Sequence, residues 1–301
     1  MTKIKKIDIH AHAVPFQQYA PTWKRVPWVS PEEVIRFYDD LNIEKGVLLP
    51  LVSPEYHQDQ ISSVDCKYMV DQHPDRFLWF CNIDPRGLGN VVDADISLLL
   101  NHYKSLGAKG LGELTAQLYA DDPMMDNLFS HCEACDMPVT IHIGPQFGGC
   151  YGIVDEVGLP RLEKMLQKHP KLKILGHSQP FWGEIGTNID PENRNRNPKG
   201  KIEEGRLIEL LRKYDNLYCD CSAGSGANAL MRDPDYTERF FEEFSDRMLY
   251  GCDICQNFNR HPYDFEAFLD QMLKDKRISE ENYYKFVRGN AIKLLKLEDA
   301  E

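Results

Sequence analysis

The chain has 301 residues, of which 42% are hydrophobic and 27% charged, enough to bury a full core and free of low-complexity tracts. Its formal net charge of −12 repels phosphate backbones and anionic lipid, which excludes nucleic acid and membrane surfaces as partners and leaves a small-molecule substrate. No apolar segment follows the basic residues near Met1, no run reaches bilayer length, and nine cysteines fit a disulfide framework badly. The expected setting is a reduced cytoplasm.

Along the chain, short β-branched runs alternate with amphipathic stretches. A strand is expected at 3–10, followed by a helix opening at Ser30-Pro31-Glu32-Glu33, where Ser caps, Pro fills the first helical position and Glu closes the capping box. Strands at 45–51 and 77–82 flank a helix at 58–72, and a helix at 93–106 leads to a strand at 109–114. The pattern continues with helix 125–135, strand 139–143, helix 160–168 and strand 173–177. It then runs through helix 203–214, strand 217–221, helix 235–246 and strand 248–253, and ends with helices at 263–273 and 279–297. Each helical crossover returns the chain to the same sheet edge, so the sheet is parallel. Eight such units predict a (β/α)8 barrel over residues 1–301 as a single domain, with a doubly wound open sheet as the alternative. The long connection at 178–202, which carries Arg194, Arg196, Lys199 and Lys201, reads as a lid.

Side chains alternate faces along a strand, which groups Asp8, His10 and His12 against Ile7, Ile9 and Ala11. The apolar set is expected on the helices and the polar set inside the barrel, with Asp8 placed to orient a histidine ring from behind. Alone, His-x-His is equally compatible with hydrogen-bonded core histidines. His142, His177 and Asp253 change that balance: each ends a hydrophobic run and precedes a loop, so each lies at the C-terminal mouth of the barrel, where such folds place their chemistry. Burying these groups merely as packing costs several kcal/mol in total.

This ordered set, together with Gly-His-Ser at 176–178, Asp-Cys-Ser at 220–222 and Tyr-Gly-Cys-Asp at 250–253, resembles the amidohydrolase superfamily. It is most similar to the amidohydrolase-2 group, which contains aminocarboxymuconate-semialdehyde decarboxylase and related hydrolases. The resemblance covers nearly the whole chain. It implies that His10, His12, His142 and Asp253 hold zinc, with manganese or iron as substitutes, and that His177 stands beside the ion as proton carrier or oxygen polariser. It implies catalytic roles for His177 and Asp253.

Glu113 shares a strand with Lys109 and Leu111, and the three are expected on one face. Lys109 lies four residues earlier, roughly 13 Å deeper, too far to reach the same ion. Glu113 resembles the strand-four glutamate of TatD-type nucleases. It is either a metal ligand, in which case one or two ions fit, or a substrate-binding or acid/base group. A zinc-bound water ionises near about pH 7, so the first functional reading is a metal-dependent hydrolase that uses a metal-activated water. The alternative is a non-oxidative decarboxylase of an unsaturated or aromatic carboxylate, with Arg194 or Arg196 holding the carboxylate. Related proteins are often dimers, and the C-terminal helices at 262–297 offer a face for a homodimer.

Other features carry less. Cys132/Cys135 and Cys252/Cys255 do not make a closed metal site, since two thiolates leave it open and the second pair faces both ways along a strand. His57, His73, His102, His131, His169 and His261 are expected at the surface. Phe181, Trp182 and Tyr151 sit on mouth-side loops, as pocket walls or as packing under the lid.

Overall fold

A computed structural model describes residues 4–16, 28–55 and 60–298. Two parallel sheets form its centre. One has the order β1 (Lys6–Ala11), β2 (Ile43–Leu48), β3 (Phe77–Trp79). The other runs β4 (Leu111–Leu114), β5 (Val139–Gly144), β7 (Ile174–His177), β8 (Leu217–Asp220), β9 (Met248–Leu249), with the short β6 (Ile153–Val154) added beside β5. Parallel bridges Cys81–Leu111 and Ala11–Ile254 join the sheets at both seams. The ring closes with all eight expected strands in order, and the open-sheet alternative falls.

Helices cover the outside. α1 (Pro31–Asp40) has the expected capping box, in which the Ser30 side chain accepts from the Glu33 amide and the Glu33 carboxylate accepts from the Ser30 amide. α2 (Ser63–Gln72), α3 (Ser97–Ser105), α4 (Pro123–Ala134) and α5 (Pro160–Lys168) follow at their predicted places. The predicted lid instead begins with a buried single turn, α6 (Gln179–Gly183), before α7 (Arg206–Lys213). α8 (Ala223–Met231) was not expected: a Gly- and Ala-rich run carries little amphipathic signal. α9 (Pro234–Phe244), α10 (His261–Lys274), α11 (Glu280–Tyr284) and α12 (Asn290–Leu295) complete the shell, with a π-helical turn at Lys285–Gly289. None of the described helices is long and apolar enough to cross a membrane.

The inward and outward faces of β1 differ from the simple alternation. Ile7 and Ile9 pack with Val47, Leu49, Phe80, Leu175 and Leu249 in the barrel interior, while Ala11 belongs to the layer under the helices. Lys6 and Asp8 face outward: Lys6 pairs with Glu266 of α10 at 2.6 Å, and Tyr38 of α1 donates to Asp8 at 2.9 Å. The register explains the reversal. Between Asp8 and Ala11 the strand advances three residues while β2 advances two, from Gly46 to Leu48. This extra residue rotates the strand, so that Ile9 and His10 both turn inward. Gly46 is required opposite, because a Cβ there would run into the Tyr38 hydroxyl and Asp8.

β4 repeats the device. Leu111 and Leu114 both lie under the helices, and three residues there oppose two on β5. Lys109, Leu111 and Glu113 therefore do not share a face, and Glu113 turns into the mouth. Gly112 occupies φ +138°, and a Cβ on it would meet the Thr140 carbonyl oxygen at 2.7 Å, so only glycine fits.

Candidate metal centre

Four side-chain donor atoms converge at the C-terminal mouth. His10 Nε2 and His12 Nε2 lie 3.1 Å apart. Glu113 Oε2 is 3.6 Å and 3.3 Å from them, and Asp253 Oδ1 is 3.7 Å and 3.5 Å. Ligands about 2.1 Å from one tetrahedral ion stand about 3.4 Å from each other. The five separations bracket that value.

The hydrogen bonds on the far side of each ring make the set electron-rich. His12 Nδ1 lies 2.9 Å from the Leu49 carbonyl, which can only accept, so Nδ1 carries the proton and Nε2 presents a lone pair. His10 Nδ1 lies 2.6 Å from Asp220 Oδ2, with the same consequence. With Nδ1 of each ring engaged, the two Nε2 atoms and two carboxylate oxygens are left facing one another, an arrangement that a shared cation stabilises. Burial opposes charge on His10, but Asp220, Asp253 and Glu113 outweigh it and raise its pKa well above the ordinary value. Without an ion, a proton is drawn to where the positive charge is missing. Burial likewise works against the Glu113 carboxylate, and His142 and His10 overcome it and hold its pKa well below the ordinary value.

The remaining predicted residues surround this group. His142 Nδ1 lies 2.6 Å from Glu113 Oε1, the oxygen that faces away from His10 and His12, and its ring packs on Tyr151 with centroids 4.6 Å apart. His177 is fully enclosed: Nδ1 lies 3.1 Å from Ser222 Oγ, and Nε2 lies 3.8 Å from Glu113 Oε1 and 4.0 Å from Asp253 Oδ2. Burial, and then the neighbouring His10, bring the His177 imidazole down to about 4, so its ring is neutral at ordinary pH. Glu113, His142 and His177 form a second possible ligand group beside His10, His12 and Asp253. Asp253 keeps 23% of its side chain exposed and is the member of the four-atom group that faces open space.

Several expectations need correction. Asp8 does not orient a histidine ring. Its Oδ1 accepts from the backbone amides of His10 and Cys252, each at 2.9 Å, and so ties β1 to the segment that carries Asp253. The ring partner is Asp220, one residue before the Cys-Ser of the quoted 220–222 motif. Its inward position on β8 was legible from the alternation with Cys219 and Cys221, but nothing marked it as a carboxylate aimed at β1. Arg194 is buried and donates to the carbonyls of Asp155 and Glu156 at 2.5 Å and 3.3 Å, binding the loop to its neighbour instead of serving the mouth; Arg196 is exposed. Phe181 packs against Gly176, and Trp182 donates to the Asp220 carbonyl, so both are packing. His169 is buried against Asp126 at 2.9 Å and is not a surface residue. His57 lies outside the described residues.

Asp220→Asn tests the supporting role. It keeps the shape, but it replaces a charged acceptor and lets the His10 ring lose its fixed tautomer. Metal affinity should fall by about 10–100-fold with the fold intact, measured by competition against a chromophoric chelator; unchanged affinity would remove Asp220 from the account.

A family model described as amidohydrolase matches residues 7–297. No curated protein matches the sequence. Among solved structures, the chain is similar to an uncharacterised TIM-barrel protein from Bordetella bronchiseptica, with TM-score 0.65 and 16% identity over 97% of this chain and 99% of that one. It is similar to 5-carboxyvanillate decarboxylase from Novosphingobium aromaticivorans, solved with manganese and a nitrobenzoic acid, at TM-score 0.62 and 17% identity over 98% and 97% of the two chains. A probable 2-pyrone-4,6-dicarboxylic acid hydrolase from Acinetobacter baumannii gives TM-score 0.58 and 14% identity over 98% and 100%. At these identities the structures share the (β/α)8 fold, and the family match supplies the rest: the chain belongs to the amidohydrolase family.

Proposed function

We propose that this protein is a metal-dependent hydrolase acting on a small molecule, with a single ion held by His10, His12, Glu113 and Asp253. The observation that carries this reading is the convergence of four donor atoms at ligand spacing, beside a neutral histidine and a partly open carboxylate. Mixed imidazole and carboxylate donors suit zinc, with manganese or iron as replacements. When bound, such an ion polarises the substrate oxygen and makes a water acidic enough to react near neutral pH.

His142 supports this arrangement from outside. Two ligands of one ion stand at least about 3 Å apart, so its 2.6 Å contact with Glu113 is a hydrogen bond that aims the other Glu113 oxygen at His10 and His12. A second ion would need His142 to leave that bond. Asp253 Oδ2, directed away from His10 and His12 and toward His177, takes the proton from the attacking water. His177 Nε2 faces the same space, and a neutral ring held by Ser222 donates a hydrogen bond to the oxygen that gains charge. Water adds, the bond to the leaving group breaks, and the proton on Asp253 passes to the leaving group.

Metal analysis followed by turnover on phosphodiester, amide, lactone and dihydroxybenzoate substrates tests the reading. Activity that is lost with chelation and restored by added zinc or manganese, with water incorporated from labelled solvent, is the expected result. Carbon dioxide release without incorporation of water would make the protein a decarboxylase instead, although Arg194, one of the two cations expected to hold the departing carboxylate, is engaged elsewhere and only Arg196 is left exposed.

A further inference from the structure

The opposite end of the barrel holds a second feature that the chemistry at the mouth does not use. A cavity of about 420 Å³ opens at the N-terminal ends of the first strands, beneath α12. Its apolar surface comes from Ile7, Leu78, Ile292 and Leu297. Its charged lining is Lys45, Lys109, Arg288 and Lys296 against Glu44 and Glu298, a positive surplus in a chain whose net charge is −12. A neighbouring cavity of about 250 Å³ shares Lys109 and Lys296 and adds Lys104.

The cations are not equally engaged. Arg288 pairs with Glu44 at 2.7 Å, Lys296 with Asp136, and Lys104 with the Cys135 carbonyl. Lys45 has only a 3.8 Å contact to Glu44, and the half-buried Lys109 ammonium has no ion pair or side-chain hydrogen bond among the described residues. Lys109 stands where the two cavities meet. An apolar floor beside one unpaired ammonium and one weakly paired one, at a volume typical of small-ligand pockets, recognises a molecule with one apolar side and one anionic group.

We propose that this basal cavity binds a small organic anion, with its apolar body on Ile7, Leu78 and Ile292 and its anionic group on Lys109 and Lys45. Catalysis is not expected there, since in this architecture the N-terminal face serves stability and the mouth serves chemistry. The site is independent of the reading given to the metal centre.

2-Naphthalenesulfonate is a suitable probe, because it has a flat apolar body, a permanent charge and no bond for a hydrolase or decarboxylase to cleave. Titration calorimetry on the metal-loaded full chain should show saturable one-to-one binding that persists when the metal is removed by a chelator. Lys109→Glu should weaken it at least tenfold, Lys45→Glu should weaken it in the same direction, and neutral 2-naphthalenemethanol should bind at least tenfold more weakly to the unaltered protein. Absence of saturable binding would overturn the proposal. So would loss of binding on chelation, which would place the probe at the mouth, or equal affinity for the neutral analogue. Binding that appears only after removal of residues 299–301 would also overturn it, by making the cavity a seat for the chain's own acidic end. The neutral analogue keeps the test decisive if either charge reversal disturbs folding.

Discussion

Glu113→Gln should reduce metal affinity by at least about 100-fold, roughly 2.7 kcal/mol, and should lower kcat/KM by about 10³-fold at limiting metal. The amide keeps the length and one acceptor oxygen, so the Gly112 turn and the surrounding packing remain. What it removes is charge. Glu113 Oε2 stands 3.3 Å and 3.6 Å from the two histidine nitrogens, and Oε1 holds His142 at 2.6 Å. If glutamine presents its oxygen to His142, which donates, its NH2 group points at His10 and His12 and repels a cation. If it presents NH2 to His142, that hydrogen bond is lost. Neither orientation satisfies both sides, whereas a carboxylate does. Equilibrium dialysis with zinc checks the affinity. A variant that binds metal as tightly as the parent would show that Glu113 is a substrate or proton-transfer group and not a ligand.

His177→Ala should separate binding from turnover. The variant is expected to retain one metal ion per chain while kcat falls by about 10²–10⁴-fold, the range for loss of a general acid or an oxyanion donor. His177 Nε2 lies 3.8–4.0 Å from the nearest oxygens of Glu113 and Asp253, too far for a direct hydrogen bond in the absence of substrate, and Nδ1 is engaged by Ser222. Ser222→Ala should give a smaller loss of kcat, because it frees the ring without removing it, while metal content stays constant. If His177→Ala loses the ion, the second group of Glu113, His142 and His177 is part of the metal centre, and two ions must be considered.

The barrel was legible because each strand has an apolar core and each helix an amphipathic face, and the residues that end β5, β7 and the β9 segment could be placed by alternation alone. Val139, Ile141 and Ile143 lie under the helices and His142 faces inward, as the period of two requires. β1 and β4 were different. Both carry an extra residue opposite a neighbouring strand, and each time the extra residue brings a candidate ligand side chain into the mouth. Asp8 was consequently assigned to the ring side when it in fact braces the backbone. A bulge depends on the register of the partner strand, which the local pattern does not contain; only Gly112 hinted at it.

Long-range partners were equally hidden. Asp220 meets His10 across 210 positions of sequence, and Arg194 finds carbonyls 38 and 39 residues away. Residue types suggest such pairings only once the barrel has brought the strands together. His10, His12 and Asp253 could be singled out early because they stand at strand ends, which the fold gathers at one mouth, whereas Glu113 stayed open between ligand and acid/base group and His142 was expected among the ligands.

Anomalous diffraction from metal-loaded crystals, recorded on both sides of the zinc edge, tests the central claim most directly. The account predicts one peak, bounded by His10 Nε2, His12 Nε2, Glu113 Oε2 and Asp253 Oδ1. A fully active protein with no peak among these four atoms, or with its metal held only by His142 and His177, would contradict it.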